Sequence, residues 1–437
     1  MSEDYIQIET FDCLSFPQKE ATANVLEEFI GSQKNNVFWF SQTSAQKNDA
    51  PLAEYNYVDQ CWNAGRFIGE ADLFFEGEKY RITIKPRFGQ KLLFRMLEEI
   101  FNIRITSSAS QSGRNQEWRH YIKRIIAFIW LQKLSNANLH GMPKVNQKTE
   151  YCGTKILGKL DIRKTLKPLY TYDKLFSVYR EKNIDRTIAQ IIFEAYQILK
   201  NDFEIDKITI PDSALEAINQ ISGFKFKGKY ITEYDYRNIR YKDIFLSWKP
   251  VVDLSWDIIK RRQLSLKQEA GRNGLGFFID MAEVWESYLR AILRKKLAPM
   301  GWYYRSEKQV AYKGLFFQRE LIPDLVFQNG NRVAVWDAKY KRMRGNPIDI
   351  DRSDFFQIHS YIQQFLNHRE VKSGGLLYPI SDSNADFTKY KSPYLMNEEG
   401  AKLNFIIDGI ELKEEEETET ILRLEDDFLD RIINHLN

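Results

Sequence analysis

The sequence LIPDLVFQNGNRVAVWDAKYKR (321–342) consists of two apolar runs joined by an Asn-Gly dipeptide. Alternating apolar residues on both sides of Asn-Gly predict a β-hairpin with a two-residue turn. Each run nevertheless carries a carboxylate, Asp324 in the first and Asp337 in the second, and Lys339 follows two residues later. Charged residues are rare in strands suited to burial. The hairpin is therefore a candidate functional site.

The strand period of two places all three charged residues on one face of the hairpin. A type I′ turn at 329–330, where both residues need positive φ, puts Asp324 diagonal to Asp337. A turn at 330–331 instead puts Asp324 directly opposite Asp337. In both registers Lys339 lies on the same face, whereas a three-residue turn would send Asp324 to the other side.

Two carboxylates held close together on an apolar hairpin repel each other unless a positive charge lies between them. Hard divalent cations prefer carboxylate oxygens, and a lysine ammonium can hold a water or stabilise an anionic transition state. Asp324, Asp337 and Lys339 thus suit metal-assisted hydrolysis of a phosphodiester. The alternative is an exposed charged face with an ordinary cross-strand ion pair.

The whole chain has 437 residues, which favours two or three domains, and a formal net charge of +3, which excludes a globally basic nucleic-acid binder. Its 3 cysteines show no metal-ligand spacing and indicate a reducing compartment. No signal peptide and no apolar stretch of the roughly 18 residues that a membrane span needs is visible. We expect a cytoplasmic protein with no membrane association.

Periodicity divides the chain into three predicted regions. Residues 1–110 are β-rich, with FIGEADLFF and KYRITIK flanking a hairpin turn, and residues 111–270 are mainly helical. Residues 271–437 read as helix, hairpin, helix and strand, which is an α/β pattern. In this last region FFIDMAEVWESYLRAIL (277–293) is predicted as one helix. EGAKLNFIIDGIELKEEEETET (399–420) is predicted as a strand pair before a final amphipathic helix.

The last region resembles the PD-(D/E)xK nucleases. Its IPD, hairpin and DAK are similar to the signature of that superfamily, and FFQIHSYIQQF (355–365) resembles the helix that carries a glutamine and a tyrosine in some members. Gln357 and Tyr361 share a helix face at i, i+4. The helix around VWESYL resembles the first helix of the nuclease core, which often contributes another acid. Glu286 borders its apolar stripe, although a solvated glutamate is nearly as good an interpretation.

A narrower resemblance is to the McrC family, the nuclease subunits of McrBC-type, modification-dependent restriction systems. It rests, in chain order, on FIGEADLFFEGEKYRITIKPRFG, GKLDIRKTL, NIDRTIAQII, VWESYL, the IPD…DAKYKR block and GLLYP. The resemblance implies a C-terminal PD-(D/E)xK nuclease domain that cleaves methylcytosine-type modified foreign DNA. It also implies an N-terminal region that binds a partner, a ring-forming AAA+ GTPase of the McrB type, and stimulates its GTP hydrolysis.

The resemblance assigns roles to individual residues. Asp324 and Asp337, joined by Glu286 and the backbone carbonyl of Ala338, would bind Mg²⁺, with Mn²⁺ as a substitute. Lys339 would position the attacking water. The helix residues Gln357 and Tyr361 would support the site or touch DNA.

The basic residues after the second strand admit two interpretations. Lys341, Arg342 and Arg344 are either contacts to DNA phosphates or a solvated loop. Two alternatives to the nuclease subunit also stay open: a non-catalytic adaptor that activates an NTPase, and a nuclease that acts without a GTPase.

Overall fold

The structure, a computed structural model, describes residues 5–17, 22–33, 37–38, 51–101, 114–166, 174–203, 205, 210–224, 226, 230–268, 277–306, 309–313, 318–341, 343, 350–381, 391–393, 403–413 and 416–436. The chain forms two compact units. One combines residues 1–111 with 271–437, and the other comprises residues 112–270. The fold is mixed α/β in both.

A five-stranded sheet organises the N-terminal part of the first unit. Its strands are β1 (Ile6–Phe11), β2 (Val37–Phe38), β5 (Phe67–Phe75), β6 (Glu78–Lys85) and β10 (Phe277–Asp280), in the order β1-β6-β5-β10-β2. A separate two-stranded sheet is formed by β3 (Ala53–Asn56) and β4 (Cys61–Ala64). The predicted hairpin of β5 and β6 is confirmed. Its turn residues Glu76 and Gly77 have φ of 49° and 88°, the positive values that a type I′ turn requires.

The predicted helix over 277–293 is wrong in its first turn. Phe277–Asp280 is strand β10, which pairs antiparallel with β5, and helix α8 (Met281–Leu297) begins directly after it. Asp280 caps this helix by accepting a hydrogen bond from Ala282 N at 2.9 Å. The other carboxylate oxygen of Asp280 accepts a hydrogen bond from Arg66 Nη2 at 2.8 Å. Pairing with the distant strand β5 therefore holds Phe277–Asp280 in an extended conformation. Local sequence periodicity contains no information about that pairing.

A six-stranded sheet carries the predicted hairpin. Its strands are β11 (Tyr303–Tyr304), β14 (Leu325–Asn329), β15 (Arg332–Ala338), β16 (Glu370–Ile380), β17 (Lys391–Pro393) and β18 (Asn404–Glu411), in the order β11-β14-β15-β16-β18-β17. The centre is parallel, since β15 pairs with β16 and β16 with β18 in that sense. Strands β12 (Gln309–Lys313) and β13 (Gln318–Leu321) form a further antiparallel pair. The predicted strand pair over 399–420 is wrong: the described residues of this segment contain one strand, β18, which pairs with β16 and β17, and the start of the helix that begins at Thr418.

Helices pack on this sheet and on one another. The first unit contains α1 (Thr22–Gln33), α2 (Gly89–Phe101), α8, α9 (Arg352–Leu366) and α10 (Thr418–Leu436). Apolar residues of α9, among them Ile358 and Ile362, share a buried cluster with Val333 and Val335 of β15. The indole of Trp285 in α8 donates to the carbonyl of Leu377 in β16 at 3.2 Å. The predicted final amphipathic helix is confirmed as α10.

The second unit combines helices with a small sheet. Its helices are α3 (Arg114–Ala137), α4 (Arg186–Asp202), α5 (Asp212–Ser222), α6 (Glu233–Arg237) and α7 (Lys249–Gln268), with 3₁₀ turns at Asn138–His140 and Asp243–Trp248. Strands β7 (Lys144–Gly153), β8 (Lys159–Leu160) and β9 (Leu175–Ile184) form an antiparallel sheet in the order β7-β9-β8. Across the ranges that the structure describes, no helix has the length and apolar character needed to cross a membrane.

Candidate active site

The predicted hairpin consists of β14 and β15, but its turn lies one residue later than 329–330. Asn329 pairs with Arg332, so Gly330 and Asn331 are the two turn residues. Gly330 has φ of 60°, whereas Asn331 is not among the described residues with positive φ. The predicted type I′ turn is therefore wrong. Glycine at the first turn position with positive φ only there is the pattern of a type II′ turn.

This register places the two aspartates opposite each other. Leu325 pairs with Trp336, so Asp324 and Asp337 form the next position outward. Val335, two residues before Asp337, belongs to the buried cluster beneath α9. Because side chains alternate along a strand, Asp337 faces α9 as well. The register with the turn at 330–331 is the one that the chain adopts.

The acidic pair is enclosed by protein. Asp337 is 1% exposed; its Oδ2 lies 2.7 Å from the Lys339 ammonium, whereas its Oδ1 accepts no hydrogen bond from the described residues. Asp324 Oδ2 accepts one from the backbone N–H of Ala338 at 3.0 Å. A carboxylate oxygen buried without a donor is costly. The pair therefore presents oxygens that are oriented for a positively charged ligand.

Lys339 lies at the centre of the site. Its Nζ is 2.7 Å from Asp337 Oδ2 and 3.4 Å from Asp354 Oδ1, and it donates a hydrogen bond to Gln357 Oε1 at 2.8 Å. Its backbone N–H continues the pairing with β16 by donating to Leu377 O at 2.9 Å. Both ends of this side chain are thus fixed, which suits a group that must act at one point.

Helix α9 supplies the supporting residues, as the i, i+4 spacing predicts. Gln357 Nε2 donates to the Tyr361 hydroxyl at 2.8 Å, while its Oε1 accepts from Lys339. Tyr361 is buried, and burial raises its pKa to about 12, so the hydroxyl stays protonated at neutral pH. The helix begins after Asp351, which caps it by accepting from Ser353 N at 2.7 Å. A chain of hydrogen bonds therefore runs from Lys339 into the core.

Asp354 is the site residue that the sequence analysis missed. It is 5% exposed, and its second oxygen accepts from Lys341 Nζ at 2.7 Å. Its signal was present, because Asp354 precedes Gln357 by three residues and Tyr361 by seven, which places all three on one helix face. Lys341 also lies 3.3 Å from Asp351 Oδ2, so this exposed lysine is ion-paired to two carboxylates of α9 and its cap. The predicted DNA contacts Arg342 and Arg344 lie outside the described residues.

Glu286 of α8 approaches the acidic pair. It accepts from Arg290 one helical turn later in a short ion pair, and both side chains are about 30% exposed. Burial raises the pKa of Glu286, Arg290 opposes this rise, and the negative charge of Asp337 adds to it, so the two carboxylates are in electrostatic range. Trp285 and Tyr288 on either side of it are buried, as the predicted apolar stripe requires. Glu286 therefore borders the site, with Arg290 as its present partner.

The electrostatics of the site are those of crowded carboxylates. Burial raises the pKa of Asp324 well above its ordinary value, and the charges of Asp337 and Glu286 raise it further. Burial also raises the pKa of Asp337, against the opposing effect of Lys339. Burial lowers the pKa of Lys339, but Asp337 and Asp354 outweigh this and leave it raised. A cation bound between the carboxylates would oppose these upward shifts and favour their ionised forms.

Few side chains in the site are placed to bind a metal ion. Considering the described ranges alone, no group of three or more His, Cys, Asp or Glu side chains is placed to hold a metal ion. Lys339 forms an ion pair with Asp337, and Arg290 forms one with Glu286, so one oxygen of each carboxylate already has a positively charged partner. Asp324 and Asp337 are the two carboxylates that the fold itself brings into one position.

Comparisons with known proteins place the chain in a family. A family model described as McrBC 5-methylcytosine restriction system component matches residues 68–379. No curated protein matches the chain.

Two solved structures are similar to the chain. One is a chain of a refined half-complex from the tetradecameric assembly of Thermococcus gammatolerans McrB AAA+ hexamers with bound McrC. It has 14% identity and a TM-score of 0.50 and covers 98% of this chain and 100% of its own, which shows a shared fold. The other is a chain of the cryo-EM structure of the Thermococcus gammatolerans McrBC complex, with 12% identity, coverage of 67% and 88%, and a TM-score of 0.35, too low to carry an argument.

The family match spans the β5–β6 hairpin, the middle of the chain and the site around Asp324, Asp337 and Lys339. It includes most of the motifs on which the resemblance to McrC rests, and the predicted membership of that family is confirmed. The chain belongs to the family of McrBC 5-methylcytosine restriction system components.

Proposed function

We propose that this chain is the Mg²⁺-dependent endonuclease subunit of a McrBC-type restriction system, with a PD-(D/E)xK domain at its C-terminal end. The observation that carries the proposal is the convergence of Asp324, Asp337 and Lys339 at one end of β15. The supporting helix α9 adds Gln357 to the same cluster. A scaffold or adaptor has no use for a buried carboxylate that faces a half-buried one beside a half-buried lysine, because the repulsion of the two carboxylates destabilises the fold.

The residues present fit a Mg²⁺ ion. Asp337 offers a buried oxygen, Oδ1, that no donor among the described residues satisfies, and Asp324 faces it across the hairpin. Mg²⁺ is commonly held by one or two carboxylates together with waters and substrate phosphates, so a third acidic ligand is not required. By the resemblance to McrC, the carbonyl of Ala338 would join them, with Glu286 as a further acid. Mn²⁺ suits the same oxygen ligands.

The bound metal would supply charge for the phosphate oxygens and a more acidic water. The chain's own residues do the rest. Lys339 lies where its ammonium can hold the attacking water and stabilise the additional negative charge of the transition state. Water would add to phosphorus and the P–O bond to the leaving oxygen would break, which gives a phosphate monoester and an alcohol. Gln357, held by Tyr361, would keep Lys339 aligned during this step.

The proposal includes a partner, because the similar Thermococcus gammatolerans structure contains McrB AAA+ hexamers with bound McrC. We extend this pairing to the present chain as a proposal: an AAA+ GTPase would recognise methylcytosine-type modified DNA, and this chain would cut it and stimulate GTP hydrolysis. In the proposed division of labour, residues 1–110 contribute partner contacts and 271–437 the nuclease.

The test is plasmid cleavage by the full chain, using methylated and unmethylated DNA, with and without Mg²⁺, the cognate AAA+ GTPase and GTP. The proposal expects cleavage of methylated DNA only when metal, partner and GTP are all present, and its loss in Asp337→Ala. Cleavage without the partner would identify a nuclease that acts alone. Stimulated GTP hydrolysis without cleavage under any condition would identify an adaptor and overturn the nuclease proposal.

A further inference from the structure

The ends of two N-terminal strands meet the end of the strand that carries the candidate active site. Strands β1 and β6 are parallel, with Phe11 beside Lys85, so the residues that follow them emerge at the same edge of the sheet. Asp12 N donates to Lys85 O at 2.9 Å, and Arg87 N donates to Asp12 Oδ1 at 2.6 Å. Both Asp12 and Arg87 are buried.

The Arg87 side chain reaches from this edge to the residues after Lys339. Its Nη2 donates to the backbone carbonyl of Lys341 at 3.1 Å. Its guanidinium lies 4.6 Å from the ring centroid of Tyr340 and 4.8 Å from that of Phe88, both within the range of cation–π attraction. Tyr340 is 4% exposed, so this contact is inside the protein.

These contacts lie directly after the residue at the centre of the site. Strand β15 ends at Ala338, the Lys339 N–H still donates to Leu377 of β16, and the chain next meets that strand in an isolated bridge between Met343 and Ile380. The next two residues are held by Arg87, one through its ring and one through its carbonyl. A shift of residues 340–341 would therefore move the backbone from which the Lys339 side chain extends.

The N-terminal side of this contact is itself fixed. Cys13, next to Asp12, has φ of 58°, a conformation that residues other than glycine rarely adopt and that persists where surrounding contacts impose it. Its N–H donates to Gly65 O at 3.0 Å. The charge of Asp12 compensates that of Arg87, whose Nε lies 3.9 Å from Asp12 Oδ2. The backbone around Arg87 and its partner Asp12 is thus held in one conformation by hydrogen bonds.

We propose that Arg87 is a positioning residue for Lys339, through which the N-terminal sheet sets the alignment of the active site. This inference rests on the proposed nuclease function. Asp12 fixes Arg87, Arg87 fixes residues 340–341, and these fix the lysine. A distortion of the β1–β6 edge would then change the rate of cleavage without any change in DNA contacts.

The test compares Arg87→Gln, Arg87→Lys and the control Arg81→Gln in the full chain, with the cognate AAA+ GTPase, GTP, Mg²⁺ and methylated DNA. Arg81 is a matched control because it also pairs with an aspartate, Asp72 at 2.7 Å, and lies 4.1 Å from the ring centroid of Tyr5. We expect Arg87→Gln to lower the single-turnover cleavage rate by about 10²-fold, as a displacement of roughly 1 Å can do. DNA affinity and stimulated GTP hydrolysis should stay within about twofold of wild type on the same reasoning.

Arg87→Lys keeps the charge but loses the planar fork and its stacking, so it should fold yet remain slower than wild type. Hydrogen exchange gives a readout of alignment itself: in both variants the Lys339 amide should lose protection while the amides of β14 keep theirs. Wild-type cleavage rates and unchanged Lys339 protection in both Arg87 variants, or an equal rate loss in Arg81→Gln, would overturn the inference alone. If the wild type does not cleave, the proposed function fails and this role for Arg87 fails with it.

Discussion

Lys339 Nζ lies 2.7 Å from Asp337 Oδ2, and the two residues stand two positions apart at the end of β15, Asp337 within the strand and Lys339 just after it. The strand period places them on one face, and the hairpin register brings Asp324 opposite Asp337. A cation and two carboxylates are thus assembled by a single hairpin, and α9 closes the cluster with Asp354 and Gln357.

Removal of the ammonium should separate catalysis from metal binding. We expect Lys339→Gln to lower the single-turnover cleavage rate by about 10²–10³-fold, the usual loss for a group that stabilises transition-state charge. Mn²⁺ affinity, measured by calorimetry, should stay equal or increase, because the competing ammonium at Asp337 is gone. Lys372→Gln is the control, since Lys372 pairs with Glu370 at 2.6 Å in the same sheet. Cleavage by Lys339→Gln at the wild-type rate would exclude the lysine from catalysis.

Asp354 should affect cleavage and DNA binding in opposite directions. In Asp354→Asn, Lys339 loses one of its carboxylate contacts and Lys341 loses its shorter one. We expect cleavage to slow by roughly tenfold, in keeping with a misaligned catalytic group. DNA affinity, measured by fluorescence anisotropy at two salt concentrations, should rise, because a released lysine becomes available to phosphates.

Asp351→Asn is the matched control for that experiment. It also removes a carboxylate from Lys341, at 3.3 Å, but no contact joins it to Lys339, and asparagine keeps the helix cap. Its cleavage rate should stay near that of wild type. Equal slowing in both variants would show that Asp354 acts through Lys341 and not through Lys339.

The crowded carboxylates make the stability of the metal-free chain depend on pH. The pKa of Asp324 is raised above 3.8 by burial, by Asp337 and by Glu286, so the folded state holds its proton more tightly than the unfolded state. The stabilisation from this proton is complete below pH 3.8 and is lost as pH rises through the folded pKa. Asp324→Asn should therefore melt at a higher temperature than wild type at pH 7.5, by about 2–4 °C per kcal/mol of relief.

At pH 4 the difference between Asp324→Asn and wild type should nearly vanish. Asparagine still offers an oxygen to the Ala338 N–H, so the comparison isolates the charge. Mg²⁺ should raise the melting temperature of wild type more than that of the variant. Calorimetry in EDTA and in Mg²⁺ gives the melting temperatures of wild type and of Asp324→Asn, each with and without the metal. A variant that melts below wild type at neutral pH would show that ionised Asp324 is stabilising.

A substitution at Gly375 tests the close approach of strands β16 and β18. It has φ of +154°, and a Cβ there would lie 1.8 Å from the carbonyl oxygen of Ile406 in β18. Gly375→Ala should destabilise the chain by several kcal/mol, because β16 and β18 must separate. Gly330→Ala is the control: its φ is +60° but nothing lies within 4 Å of a Cβ, so a cost of about 1–2 kcal/mol is expected. Equal unfolding midpoints for the two variants would contradict this packing.

The site was predictable from the sequence because its information is local. Period two and a two-residue turn place Asp324, Asp337 and Lys339 on one face, and the i, i+4 spacing brings Gln357 and Tyr361 together. The exact turn residues were not predictable, because both 329–330 and 330–331 give a plausible two-residue turn. Asp354 had the right helix spacing but lies outside the quoted motif.

Other parts of the fold depend on contacts between distant segments. Phe277–Asp280 follows a helical pattern but pairs with β5, more than two hundred residues earlier in the chain. The sheet of β7, β8 and β9 escaped prediction because β7 buries no residue fully and therefore shows no apolar alternation. The role of Arg87 depends on the meeting of β6 with the end of β15, which no local pattern contains.

The most direct test of the central claim is the single-turnover cleavage of methylated DNA by Asp337→Asn, with the cognate AAA+ GTPase, GTP and Mg²⁺. Asp72→Asn, which alters an aspartate paired with Arg81 in the N-terminal sheet, is the control. We predict that Asp337→Asn cuts at least about 10³-fold more slowly than wild type, because a metal ligand is lost, while GTP hydrolysis is stimulated normally. Cleavage by Asp337→Asn at the wild-type rate would show that the hairpin is not the active site.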